Sequence, residues 1–457
     1  MAYEDNVEQP IAAPGAISTM SKLAISTVKR WYQALPEPTH DGNGRRTPGF
    51  GELPAYKSLT KYREYQKIFA VQNPYFQLHE SRSGAEARIA GRTYINFTSY
   101  DYLGLNQHPD VGAAAVAATN SLGTSVSASR LVAGERPLHR ELEAALARHY
   151  DTDDAIVYVS GHATNVSTIA TVVGPKDIIF YDELVHNSAS TGAKLSGAKL
   201  VGFRHGDWAD LEQKLAQHRD NHTFALILIE GLYSMDGDTP DLAQFVRVKK
   251  RYGAWLMVDE AHGLGVLGAG GHGIAEHCGV DLRDVDIWMG TLSKALASCG
   301  GYIAGSSELI EVLRYQSPGF VYSVGLPAGP TAAALRSLQL LEASPDRVQR
   351  LQANGQYFLK SCQALGLETG GSEGYAVVPV IVGDTVLALR LAERLLQRGV
   401  NALPIIYPAV PLKGDRIRFF ITSEHTSESL SYTARVTREE LDRLMGSKRA
   451  KSAQRGS

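Results

Sequence analysis

The stretch DIWMGTLSKALASCGGYIAG, residues 286–305, decides the fold. Its ends, DIWMG at 286–290 and GYIAG at 301–305, are apolar runs of strand length. Between them lies a turn of small residues and one lysine, Lys294. The same kind of run recurs upstream: AIVYV at 155–159, DIIFY at 177–181, FALILIE at 224–230 and AWLMVDE at 254–260. Helix-like segments such as Leu242 to Tyr252 separate most of them. Continuous apolar strands joined by helical crossovers predict a buried, mainly parallel sheet with helices on both faces, an α/β fold. In such sheets ligands bind beyond the carboxyl ends of the strands.

Outside this core the character changes. AVVPVIV at 376–382 and RIRFFIT at 416–422 flank a predicted helix from Val386 to Arg398, and a last helix is expected over Thr437 to Met445. Together they predict a small C-terminal α+β domain. Four regions follow: an N-terminal extension over 1–60, a large ligand-binding domain over 61–345, the small domain over 346–445, and an unstructured basic tail over 446–457. Within the extension, Met20, Ala24, Val28, Trp31 and Leu35 share one face of a helix expected over Ser18 to Leu35, which Pro36 and Pro38 stop. That helix reads either as a strap packed on the body or as a docking element for a partner.

Bulk properties exclude several classes. Lys plus Arg is 46 against 48 for Asp plus Glu, so a net charge of -2 gives no reason to expect nucleic acid. No run of about 18 apolar residues exists, so no membrane span is expected. The acidic, proline-broken N-terminus does not read as a signal peptide. Cys278, Cys299 and Cys362 are scattered, without metal-ligand spacing, which predicts a reduced, cytoplasmic protein with no metal site.

Chemistry concentrates at predicted strand ends. In VDEAHGLG at 258–265, Asp259 and His262 stand three residues apart just past a buried strand. A carboxylate beside a heteroaromatic nitrogen favours the protonated ring, which is what pyridoxal phosphate (PLP) needs to withdraw electrons. Lys294 lies between two buried runs, and a desolvated lysine becomes a nucleophile toward an aldehyde. Thr291 and Ser293 flank it with hydroxyls suited to phosphate. In YVSGHATN at 158–165 a strand ends, Gly161 turns, and a helix begins near His162, presenting free N–H groups to an anion. Each motif alone is weak. A D-x-x-H is equally an ordinary loop, and a histidine such as His186 is more often a satisfied core group.

The ordered set resembles the α-oxoamine synthase family of fold-type I PLP enzymes, which have the aspartate-aminotransferase-like fold and include serine palmitoyltransferases and amino-oxononanoate synthases. The resemblance spans roughly Ile95 to Glu440. It rests on SYDYLGL at 99–105, SRLVAGERPLHRELE at 129–143, SGHATN, YDELVHNS at 181–188, EGLYSMDGD at 230–238, DEAHGLGVLG, GTLSKAL, YSVGLP at 322–327 and RIRF. It implies that Lys294 binds the cofactor covalently and moves protons, and that Asp259 pairs with the ring nitrogen. His186 would stack on the ring and join in proton transfer. His262 and Ser234 would bond near the ring hydroxyl. Thr291, with the backbone of Gly161 and His162, would hold the phosphate, and Ser323 would reach it from a second subunit of a homodimer. Arg418 would clamp the amino acid carboxylate, as a bidentate guanidinium can. Tyr100 stands at a substrate position where amino-oxononanoate synthases tend to carry asparagine.

The chain departs from the family where Ser125 and Ala128 replace glycines in GTSVSASR at 123–130, and where His162 replaces an aromatic residue. ALASCGG beside Lys294 is similar to members whose acyl group arrives on a carrier protein. The activity implied is a decarboxylating condensation of serine, glycine or alanine with an acyl thioester, on coenzyme A or an acyl carrier protein, giving an α-amino ketone. Another PLP enzyme such as an aminotransferase, or a non-catalytic regulatory subunit, are the alternatives; the presence of Lys294 speaks against the second.

Overall fold

The computed structural model describes residues 47–68 and 71–453. The helix expected over Ser18 to Leu35 lies outside them. The chain divides into two units, Met1–Tyr65 and Gln66–Ser457. In the first, Gly49 N–H donates to Glu52 Oε1 (2.8 Å) to cap a short 3-10 turn, Phe50–Glu52. A helix, Pro54–Ile68, begins after it and crosses the domain boundary expected at residue 60.

The second unit is built on a seven-stranded sheet. Its strands are β3 (Asp154–Tyr158), β4 (Ile178–Asp182), β5 (Lys199–Phe203), β6 (Ala225–Glu230), β7 (Trp255–Asp259), β8 (Ile287–Thr291) and β9 (Gly301–Gly305), in the order β3-β9-β8-β7-β6-β4-β5. All neighbours are parallel except those of β9, which runs against both β3 and β8. The expected strands are all present. β5, the sequence KLVGF, is an addition: only Phe203 of its five residues is buried, so it lacks the continuous apolar signature of the interior strands. Successive residues feed two cores. Val157, Phe180, Ile227, Ile229 and Val258 belong to one, and Ile156, Ile179, Leu226, Leu228 and Met257 to the other. Side chains alternate across a pleated strand, so a sheet covered on both faces must be apolar at every position.

Two small sheets complete the unit. β10 (Val377–Ile381), β13 (Arg416–Phe420) and β12 (Leu403–Ile405) are antiparallel. β1 (Glu86–Ile89) and β2 (Arg92–Asn96) form a hairpin, and β2 pairs in parallel with β11 (Val400–Asn401). N-terminal strands thus contribute to the C-terminal part. The last helix runs Ser427–Ala453, ten residues earlier than expected and on into the segment read as an unstructured tail. Its early start covers Leu430 and Ala434, fully buried residues whose polar neighbours hide the pattern in sequence. Among the described residues no helix is long and apolar enough to cross a membrane.

Candidate active site

Register brings the chemical residues to one edge of the large sheet. Glu230, the last residue of β6, pairs with Asp259, the last of β7, and Asp259 pairs with Met289 of β8. Thr291 ends β8 opposite Gly301, which also pairs with Tyr158 at the end of β3. Glu230, Asp259, Thr291 and the turn into the helix Gly161–Val172 therefore share the carboxyl edge.

Asp259 is buried and accepts from Asn165 Nδ2 (2.8 Å) and from the N–H of Ala261 (2.9 Å). Two N–H donors suit a carboxylate that stays an acceptor. Lys294 is half-buried by surface area, yet protein surrounds its amine closely. Burial draws that amine down from the ordinary 10.5 to about 8, against the opposing pull of Asp259 and Glu230; Arg418 adds to the lowering. Glu230 is pushed well above the carboxylate range, first by burial and then by Asp259. His262 is buried, held well below its usual value by burial and then by Lys294, Arg418 and His186, and its Nδ1 meets the Tyr102 hydroxyl at 2.6 Å. His186 is exposed. The protein packed around it lowers its pKa nonetheless, with Asp259 opposing.

The phosphate end is set by close approach. A Cβ on Gly161 would come within 3.0 Å of Thr291 Oγ1, and one on Gly301 within 2.7 Å of Gly161 Cα. Glycine at both positions lets the start of the helix 161–172 lie against β8 and β9. Ser160 caps that helix by accepting from Ala163 N–H (3.1 Å). Thr291 Oγ1 bonds Ser293 Oγ (2.8 Å) and donates to the Gly300 carbonyl (3.0 Å). Helix N–H groups, two hydroxyls and an absent Cβ form a cradle that fits a phosphate. With Asp259 and the depressed Lys294 amine, these residues fit PLP. The His162 side chain is exposed, so its contribution there is its backbone.

Arg418 and Phe420 come from β13 of the small sheet. Arg418 donates to the Ser234 carbonyl (3.0 Å) and lies 4.3 Å over the Phe420 ring, while Tyr100 meets that ring edge-on at 5.4 Å. Its neighbour Arg416 is neutralised by Asp236 (2.6 Å), whereas Arg418 has no carboxylate partner among the described residues. Ser234 is buried and serves Arg418 through its carbonyl. Ser323 is half-buried between exposed Tyr322 and Val324. Among the described residues no group could hold a metal ion.

Sequence reading missed Asn165, Ser188, Glu230 and Tyr102. All four lie inside quoted motifs, but three have remote partners: Tyr102 and His262 are 160 residues apart, Asn165 and Asp259 94 apart, and Glu230 and His186 44 apart, whereas Ser188 bonds its near neighbour His186 as well as Asn165.

A family model described as aminotransferase class I and II matches residues 92–436. The 8-amino-7-oxononanoate synthase of Thermoanaerobacter pseudethanolicus is 37% identical over 374 residues, covering 82% of this chain and 92% of that protein. The enzyme of the same name from Thermosipho melanesiensis is 40% identical over 358 residues, covering 78% and 91%. The solved Sphingomonas wittichii serine palmitoyltransferase superposes with a TM-score of 0.82 at 32% identity, over 86% of this chain and 99% of that one. Such coverage, on a sheet whose carboxyl edge suits the cofactor, means that the chain belongs to the aminotransferase class I and II family and, within it, to the PLP-dependent α-oxoamine synthases.

Proposed function

We propose that the protein condenses a small amino acid with an acyl thioester, releasing carbon dioxide and the free thiol and leaving an α-amino ketone. The observation that carries this reading is Arg418: a guanidinium without a carboxylate partner, fixed on the same side as Lys294 and Asp259. Arg418 binds the amino acid carboxylate in two-pronged fashion. When bound, PLP draws electron density from the α-carbon. Asp259 holds the ring nitrogen. Lys294, with its amine lowered to about 8, takes and returns the α-proton near neutral pH. His186 would lie against the cofactor ring, and His262, held by Tyr102, would orient the ring hydroxyl.

The amino acid is serine, glycine or alanine, and the acyl group comes from coenzyme A or a carrier protein. The working unit is a homodimer to which Ser323 contributes across the interface. Supporting this, the segment exposing Leu131 and Val132 is tied to that exposing Tyr322 and Val324 by Gly325 N–H to the Ala128 carbonyl (3.0 Å), an apolar patch that invites a second copy. Cytoplasmic placement is supported by three unpaired cysteines.

The test is a matrix of serine, glycine and alanine against acyl thioesters on both carriers, read by thiol release. Thiol release dependent on one amino acid is expected. Keto acid formation from the amino acid alone, without thiol release, would replace this reading with transamination.

A further inference from the structure

Two polar side chains, Asn165 and Ser188, link Asp259 to His186. Asn165 is buried, and its Nδ2 donates both to Asp259 Oδ2 (2.8 Å) and to Ser188 Oγ (2.9 Å). Ser188 Oγ lies 2.7 Å from His186 Nδ1, and the Ser188 backbone N–H donates to the same nitrogen (3.3 Å). Two groups that can only donate, the Asn165 amide nitrogen and the Ser188 backbone N–H, set the directions in this chain. Asp259 accepts from Asn165, so the amide must present nitrogen to it; flipped, two oxygens would face each other. The same amide nitrogen then donates to Ser188 Oγ, which leaves the hydroxyl proton for His186. Nδ1 receives an O–H and an N–H together and therefore carries no proton of its own. The orientation is kept although it leaves Asn165 Oδ1 buried without a partner among the described residues.

We infer that Asn165 and Ser188 are positioning residues that transmit the acceptor state of Asp259 to His186 and lock its ring as the Nε2–H tautomer, a hydrogen-bond donor toward the cleft. The inference deepens the proposed activity and rests on it for its consequence, but the tautomer itself does not. The His186 backbone is held independently, its N–H donating to Glu230 Oε1 (2.6 Å), so the relay governs the proton and not the placement of the chain. The charged groups facing His186 are Asp259, Lys294, His162 and Arg418, with Glu230 at its backbone. None of these side chains makes a hydrogen bond to Nδ1, which leaves Ser188 as the tautomer's determinant.

The experiment is nitrogen-15 NMR of histidine-labelled protein, with and without PLP, together with kcat and KM across pH. The wild-type His186 signals should show a protonated Nε2 and an unprotonated Nδ1. Ser188→Ala should move them toward a mixture of tautomers, and should lower kcat by roughly tenfold to a hundredfold, the span seen when a bond orienting a functional histidine is lost, with KM for the amino acid little changed. Its pH profile should shift on the acid side. Ser188→Thr, which keeps the hydroxyl, should restore the wild-type spectrum and profile. An Nδ1–H tautomer in the wild type, or unchanged signals and pH profile in folded Ser188→Ala, overturns the inference. The spectra read the tautomer whether or not the acyl condensation is correct, so the two readings fail separately.

Discussion

A lysine amine near 8 is half neutral where an ordinary one is almost wholly charged. Apo protein should therefore capture PLP covalently at a rate that rises with pH and reaches half its maximum near pH 8, measured by the appearance of the yellow chromophore. The same shift acts on stability. Between about pH 8 and 10.5 the folded chain binds fewer protons at Lys294 than the unfolded chain, so stability rises with pH across that window. Apo Lys294→Met should melt higher than apo wild type at pH 7, and the gap should shrink toward pH 10.5. Lys294→Ala should abolish turnover. Asp259→Asn keeps a side chain of the same shape but loses the charge; a fall of roughly a hundredfold in kcat is expected, as for one well-placed electrostatic contact. An unchanged rate would show that Asp259 is not the ring nitrogen's partner.

At the scale of elements, the cradle depends on how closely the helix Gly161–Val172 approaches β9. A methyl at Gly301 would lie 2.4 Å from Thr164 Oγ1 and 3.0 Å from Gly161 N, so the helix start must retreat. Gly301→Ala should cost about 1–3 kcal/mol of stability, the usual penalty for overpacking. It should also weaken PLP binding far more than it alters the spectrum of the bound form, which equilibrium titration can separate. Sequence made the strands legible because burial on both faces writes itself as unbroken apolar runs. It exposed Lys294, Asp259 and Thr291 because each sits at the end of such a run. β5 escaped because it is an edge strand with one buried residue. Asn165 escaped for another reason: its importance lies in bonds to Asp259 and Ser188, 94 and 23 residues away, which no local pattern encodes.

For the whole molecule, the expected dimer carries the largest consequence. Sedimentation at micromolar concentration should give twice the chain mass, and a fully active monomer would contradict it. Deleting residues 1–50 distinguishes two readings of the basic residues Lys22, Lys29, Arg30, Arg45 and Arg46, a solvated face on a packed strap or a guide for an acidic carrier protein; these positions lie outside the described residues. Selective loss of rate with the carrier-protein thioester, together with a full-length rate on that carrier that falls as salt rises, would support docking, and no loss would dismiss it. Equal loss with coenzyme A would assign the segment to stability alone.

The parallel pairing of β2 with β11 sets Ile95 against Val400 and Asn96 against Asn401, with Asn401 Nδ2 donating to Asn96 Oδ1 (3.0 Å). Two segments separated by some three hundred positions must therefore find each other before Tyr100 and Arg418 share a cleft. During synthesis the ribosome delivers the residues proposed to hold the cofactor first, and Arg418, proposed to grip the substrate, among the last. A growing chain can thus bury its sheet while still unable to bind an amino acid. Contacts so remote in sequence are closed late and slowly, so a nascent chain should gain the proposed substrate grip of Arg418 only once that last strand is in place.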